Sequence, residues 1–327
     1  MFVPHTFETA LILTILSTIC WGSFANTYKL TKNYRFELYY WDYAAGIFLI
    51  SLVLAFTMGS TPGGANSFLA NLHSAAPLNL LYAALGGFIF NIANFLLLAG
   101  IEMVGLAIAF PISIGIALVE GVLLSYIIQP KGSALFLGLG VATAVAAIIL
   151  IGKAYGELKG KDQKVSRKGV VVCIISGLFM GTFAPFVTRA MTAAHPLTPY
   201  TVAVLFTFGA VICCFIFNVY MMKRPLIGEP VGLAGYTSVS PSYHVLGLLG
   251  GAIWGLGTVF NFVAASLVGV AISYAIGQAS PMIAAIWGVF VWHEFRGSNL
   301  RAKIYLTGMF VCYMLALVLI AHAYQAS

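Results

Sequence analysis

Long apolar runs alternate with short polar connections along the whole chain. Ten runs, at 7–28, 38–58, 78–99, 104–128, 134–152, 169–188, 198–221, 245–266, 269–292 and 303–323, carry almost no charge. At ~1.5 Å of helix per residue each can cross ~30 Å of hydrocarbon. Gly and Pro recur inside them, which membrane helices tolerate. The pattern predicts an all-α integral membrane protein of ten transmembrane helices.

The chain also repeats itself. Moving residues 86–121 forward by 164 positions lays Gly86, Gly87, Ile89, Val104, Gly105, Ala107, Ile108 and Ile112 over Gly250, Gly251, Ile253, Val268, Gly269, Ala271, Ile272 and Ile276. An offset of 159 lays Gly22-Ser23-Phe24-Ala25 over Gly181-Thr182-Phe183-Ala184. Ten spans divide five and five, and because five is odd, homologous halves must enter the membrane from opposite faces. That is a 5+5 inverted-topology repeat, the plan of many secondary transporters. The halves are 1–152 and 169–327, joined by a basic linker over 153–168. Two longer connections, 59–77 and 223–244, hold the same place in each half and are too short to be domains.

Composition agrees: 61% of 327 residues are hydrophobic and 8% charged, about a third of the charge of a soluble domain. Lys29, Lys32, Arg35, Lys153, Lys159, Lys161, Lys164, Arg167, Lys168, Lys223, Arg224, Arg296, Arg301 and Lys303 lie on connections after odd-numbered spans, leaving Lys131 and Arg189 for the other face. The positive-inside rule makes the first face cytoplasmic and puts both termini outside. The net charge of +7 therefore reads as topology and contact with anionic lipid rather than nucleic-acid binding. Cys20, Cys173, Cys213, Cys214 and Cys312 all fall in spans, without ligand-like spacing, and read as packing residues. Gly156-Glu157-Leu158-Lys159-Gly160-Lys161 only faintly resembles a phosphate loop, with its glycines too close and Asp162 where Ser or Thr should stand. No metal site, nucleophile or cofactor motif is legible, so the expectation is a non-enzyme without cofactor.

Polar residues inside spans are costly and so mark candidate sites. Asn91 and Asn94 share one face of span 3, and Trp254 and Asn261 one face of span 8. Carboxamides both donate and accept, and an aromatic ring supplies a flat wall, a combination suited to an uncharged polar solute. Asparagine is equally helix-to-helix glue. Tyr274 and Gln278 stand at i and i+4 in span 9, while Trp21 and Asn26 mark the matched segment of span 1. Pro111 and Pro281 either kink their helices or free carbonyls toward a cavity. Glu120, roughly ~12 Å from the outer end of span 4, is either the group that carries a coupled proton or a structural hydrogen-bond partner. Asp42 reads as a gate or anchor for Lys29 or Arg35 to pair with, and Glu294 as a structural pair with nearby basic residues.

The chain resembles the drug/metabolite transporter superfamily, and within it the branch of ureide permeases and glucose/ribose porters. Phe36-Glu37-Leu38-Tyr39-Tyr40-Trp41-Asp42-Tyr43 and Phe183-Ala184-Pro185-Phe186 are similar to ureide permeases. Gly251-Ala252-Ile253-Trp254-Gly255-Leu256-Gly257, Val268-Gly269-Val270-Ala271 and Gln278 are similar to bacterial glucose/ribose porters. Trp287-Gly288 followed by Glu294-Phe295-Arg296 is shared by both. The resemblance implies uptake of sugars, or of nucleobases or ureides such as allantoin, coupled to protons and seated in a plasma membrane, the inner membrane of a bacterium. The linker lacks the phosphate-loop-like motif of plant ureide permeases, and Glu120 stands where the family pattern is apolar.

The expected function is a proton-coupled importer of a small neutral polar solute. Asn91, Asn94, Trp254, Asn261 and Gln278 would hold the solute with Trp21, Asn26 and Tyr274 beside them, and Glu120 the proton. Sodium, ligated by carbonyls near Pro111 or Pro281, is the alternative coupling ion. An exporter of drugs or metabolites, and a membrane sensor or assembly factor that moves nothing, are the competing readings.

Overall fold

A computed structural model of the protein describes residues 1–32, 34–60, 67–159 and 166–325. Among these residues ten helices are long and apolar enough to span a membrane: α1 Phe7–Lys29, α2 Phe36–Phe56, α3 Pro77–Val104, α4 Ile108–Ile128, α5 Ala134–Leu158, α6 Arg167–Thr192, α7 Pro199–Lys223, α8 Pro241–Val268, α9 Val270–Val291 and α10 Leu300–Gln325. The chain is a multi-pass membrane protein, and no strand occurs among the described residues. In hydrocarbon a helix is the economical structure, because it satisfies every internal N–H and C=O within one segment. Its ends need help, and the sequence provides it. Thr6, Ser166 and Thr198 accept from backbone N–H groups three residues on. Pro77, Pro199 and Pro241 begin helices where their missing N–H costs nothing.

One boundary differs from the sequence reading. Helix α5 runs on past 152, so Lys153, Gly156 and Glu157 of the expected linker are helical. Lys153 lies over the Tyr305 ring and Glu157 accepts from Asn299 Nδ2 at 2.7 Å, so the charges at this helix end have polar and aromatic partners on α10 and the connection before it. The rest of the linker, 160–165, lies outside the described residues, including the last two residues of the phosphate-loop-like stretch.

The sequence repeat recurs in the geometry. Helices α3 and α8 are both 28 residues long, begin on proline and end against a glycine of positive φ, Gly105 at 77° and Gly269 at 84°, which lie 164 residues apart. With ψ of 162° and 155° both sit where essentially only glycine fits. Helix α3 packs along α6 as α8 packs along α1, and α8 along α2 as α3 along α7. The backbone contacts that join these helices also match. Gly46 faces the carbonyl of Leu248 and Gly209 that of Ala84, while Gly251 faces the carbonyl of Tyr43 and Gly87 that of Phe206. A Cβ at any of the four would collide with that oxygen, so glycine sets the interhelical distance. The matched residues place α2 on α7 with an offset of 163.

Helices α5 and α10 pair with each other at the side of the bundle, whereas α1, α2, α3, α4, α6, α7, α8 and α9 enclose its centre. Helix α9 is interrupted at Gln278 and Ala279, with Pro281 just beyond. Proline supplies no N–H, so the chain tightens: Ala279 N–H bonds back to Ile276 O, and Met282 N–H to Ala279 O. Thr18 Oγ1 of α1 also donates to Ile276 O at 3.1 Å. The interruption falls at the middle of the bundle.

Candidate functional site

A cavity of about 270 Å³ lies at that interruption. Its floor is at mid-membrane, where Trp254 and Phe90, each midway along its 28-residue helix, stack at 4.7 Å between ring centroids. Trp21 also packs against Trp254, at 5.9 Å between ring centroids. The matched offset of 164 makes Phe90 and Trp254 counterparts, so the floor lies where the two halves meet. From there the cavity extends past Leu98, Ile101, Phe110 and Ala284 toward the ends of α1, α3 and α9. This is the face to which the sequence assigns the basic connections, called the basic face below.

Three polar side chains reach this apolar chamber: Asn94, Gln278 and Ser280. Asn94 Nδ2 donates to Tyr40 Oη at 3.2 Å, which orients its carboxamide and leaves Oδ1 as an acceptor. Gln278 is only 7% exposed and its carboxamide has no hydrogen-bond partner among the described residues. The helix interruption turns this side chain into the cavity. Its carboxamide opens on the cavity rather than being sealed in protein, so it is free to pair with whatever enters there. Trp21 Nε1 is already used, donating to Thr258 Oγ1 at 3.1 Å, so its ring acts as a wall. No charged residue lines the cavity among the described residues.

The structure thus brings together Trp21, Asn94, Trp254 and Gln278 of the residues singled out in the sequence. It places the others elsewhere. Asn91 is fully buried against α2, accepting from Tyr40 Oη. Asn261 Nδ2 donates to Ser273 O at 2.9 Å, tying α8 to the first part of α9. Tyr274 donates to Ala117 O at 3.2 Å and packs its ring on Phe183. Asn26 accepts from Trp292 Nε1 at 2.6 Å. Each has a protein partner and none lines the cavity. Glu120 accepts from Thr182 Oγ1 at 3.1 Å where α4 meets α6, while its Oε2 is buried without a partner. It too is off the cavity wall.

Three polar groupings lie at the basic face. Lys29 pairs with Glu294, which also accepts from Tyr155 Oη at 3.2 Å, and the Lys29 ammonium lies 4.3 Å from the centre of the Trp292 ring. Arg35 pairs with Glu37. Asp42 therefore takes neither basic residue as partner. Its Oδ1 accepts from Tyr236 Oη at 2.7 Å and its Oδ2 meets His244 Nδ1 at 2.8 Å, which clamps the 223–244 connection onto α2 and α8. Burial together with the Asp42 charge pushes the nearby Tyr34 hydroxyl up to about 12. Tyr236 is raised further by burial and its bond to Asp42, and so stays a donor. Sequence reasoning did not single out His244. Its signal was a position one residue before the apolar run over 245–266.

The sequence pattern of the family described as sugar transport protein matches residues 11–323. Ureide permease 4 of Arabidopsis thaliana is 23% identical, covering 98% of this chain and 98% of its own length. Ureide permease 1 of the same plant is 22% identical over 86% of this chain and 87% of its own. A probable glucose uptake protein of Staphylococcus aureus is 26% identical over 68% of this chain and 71% of its own. A solved crystal structure superposes with a TM-score of 0.64, covering 96% of this chain and 99% of that one at 15% identity, a likeness of fold. With the family pattern running from the first span through the last, the chain belongs to the sugar transport protein family.

Proposed function

We propose that this protein carries a small, neutral, planar amide-bearing solute across the membrane, and that Gln278 and Asn94 hold it against the Trp254 ring. The observation that carries this reading is the unpaired Gln278 carboxamide in an uncharged cavity floored by stacked rings. The names of the relatives offer two chemistries, ureides and glucose. A hexose presents hydroxyls on every side, and each loses water on entry unless it finds a partner. Three polar side chains do not meet that demand. A flat ring bearing adjacent N–H and C=O groups pairs edge-on with one carboxamide and stacks its faces on apolar walls. Thermal unfolding of the purified protein with allantoin, uracil or glucose tests the choice. At one hundred times its dissociation constant the true solute adds about 2.7 kcal/mol of stability. Stabilisation by glucose and by neither heterocycle would reverse the assignment.

Proton coupling through Glu120 belongs to the same proposal. It is supported by a carboxyl group inside the bundle with one oxygen unpartnered, at the α4–α6 contact beside Gly181 and Thr182. Glu120→Gln should abolish accumulation driven by an imposed pH difference in proteoliposomes while solute binding survives. Continued uphill uptake in that variant makes Glu120 a structural partner of Thr182. The direction is import, with the basic face cytoplasmic in a bacterial plasma membrane and the two five-helix halves rocking about the midplane floor.

A further inference from the structure

The repeat superposes two sets of four side chains that start from the stacked Phe90 and Trp254 at the midplane and run toward opposite faces, and the two sets are packed differently. Toward the face opposite the basic one stand Phe90, Phe183, Phe206 and Phe262. Phe183 lies 5.4 Å from Phe206 and 5.5 Å from Phe90, and Phe206 lies 5.6 Å from both Phe90 and Phe262. All four are buried, and together they seal that side of the cavity. The matched offsets give their counterparts toward the basic face as Trp254, Phe24, Tyr43 and Leu98. Of the corresponding contacts only the one between Phe24 and Tyr43 is a ring contact, at 5.4 Å. No ring contact joins Trp254 to Phe24 or Tyr43 among the described residues, and Trp254, Phe24 and Leu98 line the open cavity.

We infer that these are the two gates of one transport cycle, and that the single non-aromatic position, Leu98 opposite Phe262, biases the protein toward the state open at the basic face. The inference rests on the transport reading above. Opening one gate and closing the other exchanges the packing of the two sets. Contacts made by equivalent residues in the two states offset one another, so the balance is set where the sets differ. Three positions are aromatic in both. At the fourth, closing the opposite gate seats the Phe262 ring on Phe206, whereas closing the basic-face gate seats only the smaller Leu98 side chain against Tyr43. Aromatic pairs gain stability beyond the area they bury, which favours the arrangement observed.

The experiment reads gate state without needing a solute. Ile101 lines the open part of the cavity, so Ile101→Cys, in a protein whose five native cysteines are replaced by serine or alanine, reacts with a water-soluble maleimide when the basic-face gate is open. Phe262→Leu lies across the floor from this reporter and weakens the closed gate. Leu98→Phe adds a ring where there is space, so it leaves the packed core intact and strengthens the opposite outcome. Each should slow labelling by about three- to ten-fold, and the double variant should slow it further. Because Leu98 is near Ile101, its effect is repeated with Ala284→Cys on the facing helix. Unchanged rates at both reporters in all variants, with uptake retained, would overturn the gate assignment and leave transport standing. Slowed labelling supports the gates, and if no solute crosses in the parent protein, it is the transport reading that falls.

Discussion

At the scale of single residues, helical spacing showed which side chains share a face but not what that face meets. Asn91 and Asn94 were read together, yet one turn of helix separates a buried partner of Tyr40 from a residue lining the cavity. Gln278 and Tyr274 were paired at i and i+4, and the helix breaks between them and the proline. We expect Gln278→Leu to weaken solute binding by about tenfold, the loss of one or two hydrogen bonds at ~0.5–1.5 kcal/mol each, with little change in melting temperature. Asn261→Ala should do the reverse. It removes the bond to Ser273 O, costs about 1 kcal/mol of stability and leaves affinity unchanged, as calorimetric titration alongside thermal unfolding would show. His244→Ala strands the buried Asp42 carboxylate with one partner fewer. The expected result is a loss of about 1–3 kcal/mol and faster proteolysis around Tyr236, the part of the connection that Asp42 holds beside His244. Equal cleavage rates in parent and variant would show that the clamp does not restrain this connection.

At the scale of helices, length and hydropathy located all ten spans, because a bilayer imposes one length on every crossing. The ends were less legible. Helix α5 continues past 152 because Lys153 and Glu157 find partners on and beside α10, a tertiary fact invisible to hydropathy. The glycines were legible as a repeat but not as contacts. Their role appears only when Gly87 and Gly251 are seen against the carbonyls of Phe206 and Tyr43, at interfaces where lipid supplies no hydrophobic force and close packing holds helices together. Adding a methyl group there pushes two helices apart. Gly87→Ala and Gly251→Ala should each cost about 1–3 kcal/mol, measured by chemical denaturation in detergent. Gly115→Ala is the control, since nothing lies within 4 Å of the added Cβ, and it should be neutral. A control as damaging as the two test variants would remove the close-contact explanation.

At the scale of the whole molecule, the sequence carried the ten spans, and the proposed insertion rests on an odd number of spans per half and a lopsided distribution of charge. The structure adds a direction, since the cavity opens toward the ends of α1, α3 and α9, where the basic residues gather. Orientation then decides which compartment the present conformation faces. Fourteen basic residues against two is a strong imbalance on connections short enough for the rule to apply. Lys131, one of the two exceptions, is half-buried and donates to Leu267 O at 2.5 Å, which binds the α4–α5 turn to the end of α8. Arg189 lies in the last turn of α6, where a cation suits the negative end of the helix dipole. Both exceptions therefore have local structural reasons, and neither argues for a reversed insertion. The expected result is that a cysteine at Gly297, on the exposed turn after α9, is labelled by an impermeant reagent only when the membrane is broken, while a tag fused after the last residue is reached in intact cells. The opposite pattern would turn the molecule over, and the cavity described above would then open to the outside.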